Sequence, residues 1–238
     1  MLMIFASTAQ FHAGAQTSGG ELLTAAAVRN LTIEEARQHR QVRLQGVVTF
    51  YEENSFSRFI QDKTAGIYLS DSGLPVVHLS PGQLVEVEGI TEPGEYAPTV
   101  VPQQIRVIGE APLPTPKVVT YAQLASGVDD SQFVEITGTV RSVRQLQDAS
   151  QLYIIEIATG GGRLTIYTHE LPVAAENMVD SDVRVCGVCA TKFNHQRQLF
   201  AVRLMVPRLE DLTIESPAPK NPFDVPAQTI GSLLQFNP

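Results

Sequence analysis

The sequence predicts an all-β chain, and three observations carry that prediction. Seventeen Gly and fifteen Pro lie among short Val/Ile/Leu runs, a mixture of breakers and β-branched residues that makes strands and turns rather than long helices. The apolar runs alternate with polar residues, as in Val42-Arg-Leu-Gln-Gly46-Val-Val-Thr, the period of a half-buried strand. Finally the chain repeats itself. That segment matches Val134-Glu-Ile-Thr-Gly138-Thr-Val-Arg, and Leu84-Val-Glu-Val-Glu-Gly89-Ile-Thr matches Asp182-Val-Arg-Val-Cys-Gly187-Val-Cys, so one small unit occurs twice.

Taken in order, residues 1–23 form a lead. Met1 to Ala15 is apolar and ends in Ala13-Gly14-Ala15, which reads as the remains of an export signal with its small-x-small cleavage site, although a basic n-region is missing. The first unit spans 24–110. It opens with a cap, Val28-x-x-Leu31, at helical spacing. Strands follow at Val42 to Glu52, Phe56 to Gln61, Gly66 to Ser70, Gln83 to Glu92 and Thr99 to Ile108, with Asp62-Lys-Thr-Ala-Gly66 as the turn between the second and third. Prolines 112, 114 and 116 in the linker 111–116 remove three backbone donors, so no strand crosses there and few contacts are expected across it. The second unit, 117–215, repeats the plan: a cap at Tyr121-x-x-Leu124, then strands at Phe133 to Val143, Gln151 to Ala158, Arg163 to Thr168, Asp182 to Ala190 and Leu199 to Val206. Ala158-Thr-Gly-Gly-Gly162 is its hairpin turn. Residues 216–238 carry four prolines between Glu215 and Pro226 and then Ile230, Leu233 and Leu234 at cap spacing, which reads as a linker and the cap of a third unit. Gly46 and Gly138 in the first strands, with Gly89 and Gly187 in the fourth, let each strand bend where a small barrel must curl. The expected architecture is therefore two tandem five-stranded OB-type barrels, each preceded by a short helical cap.

The run Arg58-Phe-Ile-Gln-Asp62-Lys-Thr-Ala-Gly66-Ile-Tyr-Leu69 resembles a hairpin common in OB-fold modules. Together with Val185-Cys-Gly-Val-Cys189, Phe193-Asn-x-x-Arg197-Gln-Leu199 and the repeated cap and barrel, it is similar to the extracytoplasmic tandem OB region of some bacterial sensor histidine kinases. The resemblance covers roughly residues 24 to 238. It implies an input module of signal transduction on the periplasmic side of the cytoplasmic membrane, touching that membrane only through segments outside this chain.

Composition narrows the chemistry. The net charge is −8, with 7 basic and 11 acidic residues in 28–110 and 9 and 12 in 111–215. Backbone binding to nucleic acid comes from neutralising phosphates, so the sequence reading disfavours that partner. Cys186-x-x-Cys189 has no second Cys pair. On a strand its residues face opposite ways, one packed and one at the surface, so no metal or redox centre is expected. Gly160-Gly-Gly162 lacks the Lys and following helix of a phosphate loop. The histidines at 12, 39, 78, 169 and 195 accompany no nucleophile elbow, and the adjacent carboxylates Glu52-Glu53, Asp129-Asp130 and Glu210-Asp211 read as splayed or solvated. Neither a catalytic set nor a cofactor is expected, and the chain reads as a non-enzyme.

Ligands of OB barrels bind across strands two and three and the loops joining strands one to two and four to five. That rule selects Tyr51, Arg58, Tyr68 and Tyr96 in the first unit, and Arg144, Tyr153, Tyr167, Lys192, Asn194 and Arg197 in the second. The function expected is a ligand-binding input module for a small molecule, glycan or protein. Its rivals are an exported OB-fold nucleic-acid-binding protein and a structural spacer.

Overall fold

The computed structural model describes residues 20–54, 57–71, 77–193 and 199–220. Strands dominate, as expected for an all-β chain, and they form two sheets. The first holds β1 (Gln41–Glu52), β2 (Ser57–Gln61), β3 (Gly66–Tyr68), β4 (Gln83–Glu92) and β5 (Thr99–Glu110) in the order β3-β2-β1-β4-β5. A parallel bridge between Leu69 and Val100 brings its two edges together. The second holds β6 (Lys117–Val118), β7 (Phe133–Gln145), β8 (Tyr153–Thr159), β9 (Gly162–Thr168), β10 (Asp182–Phe193), β11 (Leu199–Met205) and β12 (Leu212–Ser216). There β10 pairs with β11 and also with β7, while β11 runs parallel to β9, so β7, β8, β9, β11 and β10 close on themselves. The sequence reading omits β6 and β12. Both are edge strands outside that ring: β6 is two residues long, and β12, Leu212-Thr-Ile-Glu-Ser216, alternates but lies beyond the five strands that the repeat matches.

The second cap forms where its sequence places it, whereas the first is displaced: its helix ends at Arg29, short of Leu31, and a second short helix follows from Ile33. Helix α1 (Ala25–Arg29) and helix α2 (Ile33–Ala36) lead the first sheet, and helix α3 (Tyr121–Ala125) leads the second. Thr32 and Thr120 close α2 and α3 with capping boxes, each hydroxyl accepting from the backbone of the third helical residue while Glu35 or Gln123 reaches back. Among the described residues no helix is long and apolar enough to cross a membrane.

Burial explains the strands. In β1, Val42, Leu44 and Val48 are buried and Gln41, Arg43 and Gln45 are exposed. A bulge between Val48 and Phe50 then shifts the register against β2, and an extra residue re-aims the side chains after it. Here Thr49 and Phe50 are both buried, because the outer face of β1 is covered as well.

The second unit covers it. Phe50 and Phe59 join Phe133, Leu152, Cys186, Val188, Ala190 and Met205 in one apolar cluster, with Leu113 of the Pro-rich linker packed against it. Gln61 and Gln132 exchange bonds across this joint: the Phe133 N–H donates to Gln61 Oε1 at 2.9 Å and the Gly66 N–H to Gln132 Oε1 at 3.1 Å. Arg29 pairs with Asp130 at 3.2 Å, and His169 lies 3.3 Å from Glu52 and stacks on Phe50. The expectation of few contacts across the linker is thus corrected. The prolines do stop β5, but proximity is decided by the outward residues of β1, β2 and β10, not by the connection.

Candidate functional site

Beside the joint, both sheets wall a groove of about 740 Å³. The first unit supplies Phe59, Tyr68 and the segment 92–97, which joins β4 to β5. The second supplies Asp130, the end of β10 from Ala190 to Lys192, and Phe200 and Arg203 on β11. The groove therefore lies where the segment joining β4 to β5 faces the paired strands β10 and β11.

Its aromatic faces are Tyr68, half-buried and 5.3 Å from the Phe59 ring, Tyr96 at 41% exposure, and Phe200 at 64%. Its charges are segregated. Asp71 lies 3.8 Å from Arg58, and Asp130 is held by Arg29 and by the Thr191 hydroxyl. Glu92 and Glu95 stand on the first-unit wall, Lys192 and Arg203 on the other. On the β10–β11 hairpin, Ala190 is opposite Arg203 and Lys192 opposite Ala201, so the two cations share one face. Neither forms an ion pair among the described residues. The guanidinium of Arg203 covers the Tyr167 ring at 5.5 Å, and its buried Nε has no hydrogen-bond partner among the described residues. Arg203 beside it, and partial burial, pull the Lys192 ammonium below the usual lysine range.

Of the ten predicted site residues, the groove gathers Tyr68, Tyr96 and Lys192, with Tyr167 beneath Arg203. Tyr51 and Arg58 meet instead in a buried network. The Tyr51 hydroxyl donates to Glu53 Oε1 at 2.7 Å, and Arg58 donates to Glu53 Oε2. Burial and the Glu53 carboxylate push the Tyr51 phenol above its usual range. Arg144 is exposed and neither it nor Tyr153 lines the groove. Asn194 and Arg197 lie outside the described residues. The sequence reading treated each unit alone and so missed Phe200, Arg203, Glu92 and Glu95. One signal was present: an Arg inside the otherwise apolar Leu199-Phe-Ala-Val-Arg203-Leu-Met-Val.

Two other expectations are corrected. Cys186 and Cys189 do face opposite ways, but both are buried, because the outer face of β10 is the joint. Burial and the nearby Glu135 carboxylate push the Cys186 thiol up to about 11, and burial raises Cys189 further, so both thiols stay protonated at neutral pH. Nor are the adjacent carboxylates idle. Asp129 is buried against Lys117 at 2.6 Å, Asp130 holds Arg29, and Asp211 accepts from Arg208 at 3.0 Å. These pairs tie elements together. Among the described residues no group of three His, Cys, Asp or Glu could hold a metal ion.

No family model matches the chain, and no curated protein does. Solved structures similar to it include the p204 HINb domain, 11% identical over 75% of this chain and 96% of that one, with a TM-score of 0.31. A murine DNA-binding protein described as bound with double-stranded DNA is 9% identical over 74% of this chain and 99% of its own, at a TM-score of 0.32. The Ifi202 HINa domain in complex with 20-bp double-stranded DNA is 6% identical over 74% and 96%, at 0.31. The expectation against nucleic acid as a partner rested on net charge alone and is corrected: two of these structures were solved on double-stranded DNA, which is a property of those proteins only. Net charge averages over a whole surface and does not describe the local wall that carries Lys192 and Arg203.

Proposed function

We propose that this protein is a non-enzymatic OB-type binding module whose groove, between the two sheets, holds a short stretch of single-stranded nucleic acid. One observation carries this reading: Tyr68, Tyr96 and Phe200 share a single groove with Lys192 and Arg203. Single strands bind where bases stack on aromatic faces and cations meet the backbone, and stacking tolerates any sequence. A volume of about 740 Å³ lies within the range of small-ligand sites, about 300–1,000 Å³, which suits a couple of nucleotides better than a duplex.

Fluorescence anisotropy with a labelled oligothymidylate tests it. Binding is expected at low salt, weakening with a log–log slope of about −0.7 for each phosphate of a single strand that the cations neutralise. Phe200→Ala is expected to weaken it by roughly 1–3 kcal/mol. No binding at about 50 mM salt overturns the reading. The carboxylates of Glu92 and Glu95 on the opposite wall favour a second one, in which a neutral or cationic small molecule or a glycan occupies the groove of an extracytoplasmic input module. A thermal-shift series with sugars and polyamines checks that, since a ligand at 100 times its Kd adds about 2.7 kcal/mol.

A further inference from the structure

We infer that Lys192 and Arg203 form a subsite for one phosphate monoester group at the second-unit wall of the groove. The inference rests on the groove being the binding site and adds what one end of its ligand must carry. Two like charges sit on one face of the β10–β11 hairpin, and neither has a carboxylate within ion-pair distance among the described residues. Such an arrangement repels itself, which is why the Lys192 ammonium is pulled down by Arg203. The Arg203 Nε–H is buried without an acceptor among the described residues, and a buried donor left unmade is costly. Tyr167 holds the guanidinium plane from below, so its donor edge is oriented before any ligand arrives.

An anion answers the shared face of the two cations and the oriented guanidinium together, and the charge count narrows its kind. Two cations without an ion pair among the described residues match the charge of about −1.5 to −2 that a phosphate monoester carries at neutral pH, whereas a phosphodiester supplies only one charge. The other charged groups facing the groove disfavour a run of phosphates along the first-unit wall. Asp71 and Asp130 are taken by Arg58 and Arg29, but Glu92 and Glu95 remain on the far wall and repel a backbone that continues across it. The group is therefore terminal, supplied either by the end of an oligonucleotide or by a free or small-molecule phosphate.

The experiment uses the full chain and three probes: inorganic phosphate, 5′-phosphorylated tetrathymidylate and its 5′-hydroxyl counterpart. Inorganic phosphate at millimolar concentration is expected to move the Lys192 titration, followed by NMR of its side chain, back toward the ordinary lysine value, with equimolar chloride leaving it unchanged. The 5′-phosphorylated oligonucleotide is expected to bind roughly tenfold tighter than the 5′-hydroxyl one, the scale of one extra set of charge-assisted hydrogen bonds. Lys192→Gln and Arg203→Gln are expected to abolish that difference. Equal binding of the two oligonucleotides, weakened alike by either substitution, overturns the subsite while leaving the groove reading intact. Movement of Lys192 by phosphate without binding of either oligonucleotide upholds the subsite and overturns the nucleic-acid reading. An unmoved Lys192 titration in the unmodified protein overturns the subsite without relying on any variant.

Discussion

At Gly66 a single methyl group would land 1.8 Å from the carbonyl oxygen of Ser131, which belongs to the other unit. Neither side yields easily, since Ser131 is fully buried and holds a left-handed backbone, φ 64°. Gly66→Ala is therefore expected to cost about 3 kcal/mol or more, at the upper end for overpacking. Gly160→Ala, where an added Cβ meets nothing within 4 Å, is expected to be neutral, and urea unfolding of both variants checks the contrast. Gly138 is intermediate, its added Cβ meeting the Ala158 carbonyl oxygen at 2.6 Å. The sequence reading placed a bend at Gly138; the structure shows the reason to be close approach of the neighbouring strand. Arg58 makes the second argument at this scale. Its side chain is 8% exposed and paired with Glu53, and breaking a buried pair from one side costs about 3–5 kcal/mol. Burial pushes the Glu53 carboxyl up, but the bonds from Arg58 and Tyr51 outweigh it and hold the group below the carboxylate range. A lowered folded-state value means that the contribution is complete above about pH 4.5 and lost as pH falls through the folded value. The stability gap between the unmodified protein and Glu53→Gln is thus expected to shrink below about pH 4.5. A gap that stays constant from neutral pH down to about pH 3 refutes this.

Helix α3 is five residues long, far too short to persist by propensity. Its ends and its buried face hold it: Thr120 caps it, Leu124 is fully buried, and Tyr121 packs against the second core. Thr120→Ala is expected to cost about 1 kcal/mol, and replacement by Ser to restore most of it. The cap was legible because the apolar i, i+3 pair Tyr121-x-x-Leu124 is a local signal. Strands β1, β4, β7 and β10 were legible for the same reason, their period of two being written in their own residues. The bulge in β1 was not, since nothing near Thr49 announces that the outer face of the strand becomes interior from that point.

Across the whole molecule the three apolar clusters form a series, with the shared one seated between the cores of the two units. Phe59 is 5% exposed within it. Removing a buried Phe ring costs about 3–5 kcal/mol. Phe59→Ala is expected to lower the stability of both units, and the unmodified chain to unfold in one cooperative step when followed by probes placed in each. Two separate transitions in the unmodified protein contradict a joint of this kind. The groove depends on the same joint, because its walls come from different units and meet only while the units stay packed.

By itself the sequence determined what is local: the all-β class, the order of the strands, the turns, the helical caps and the internal repeat, each encoded in spacings of two to four residues. Only the tertiary structure decided which outward faces are outward. Phe50, Phe59, Cys186 and Val188 sit at positions that a lone sheet would expose, and a second sheet buries them. The same packing sets Tyr68 and Tyr96 across from Lys192 and Arg203, although the two pairs lie far apart along the chain. A period of two reports that a strand has two faces. The cover on the second face depends on surfaces brought together by the folded whole, and no spacing within a strand records that.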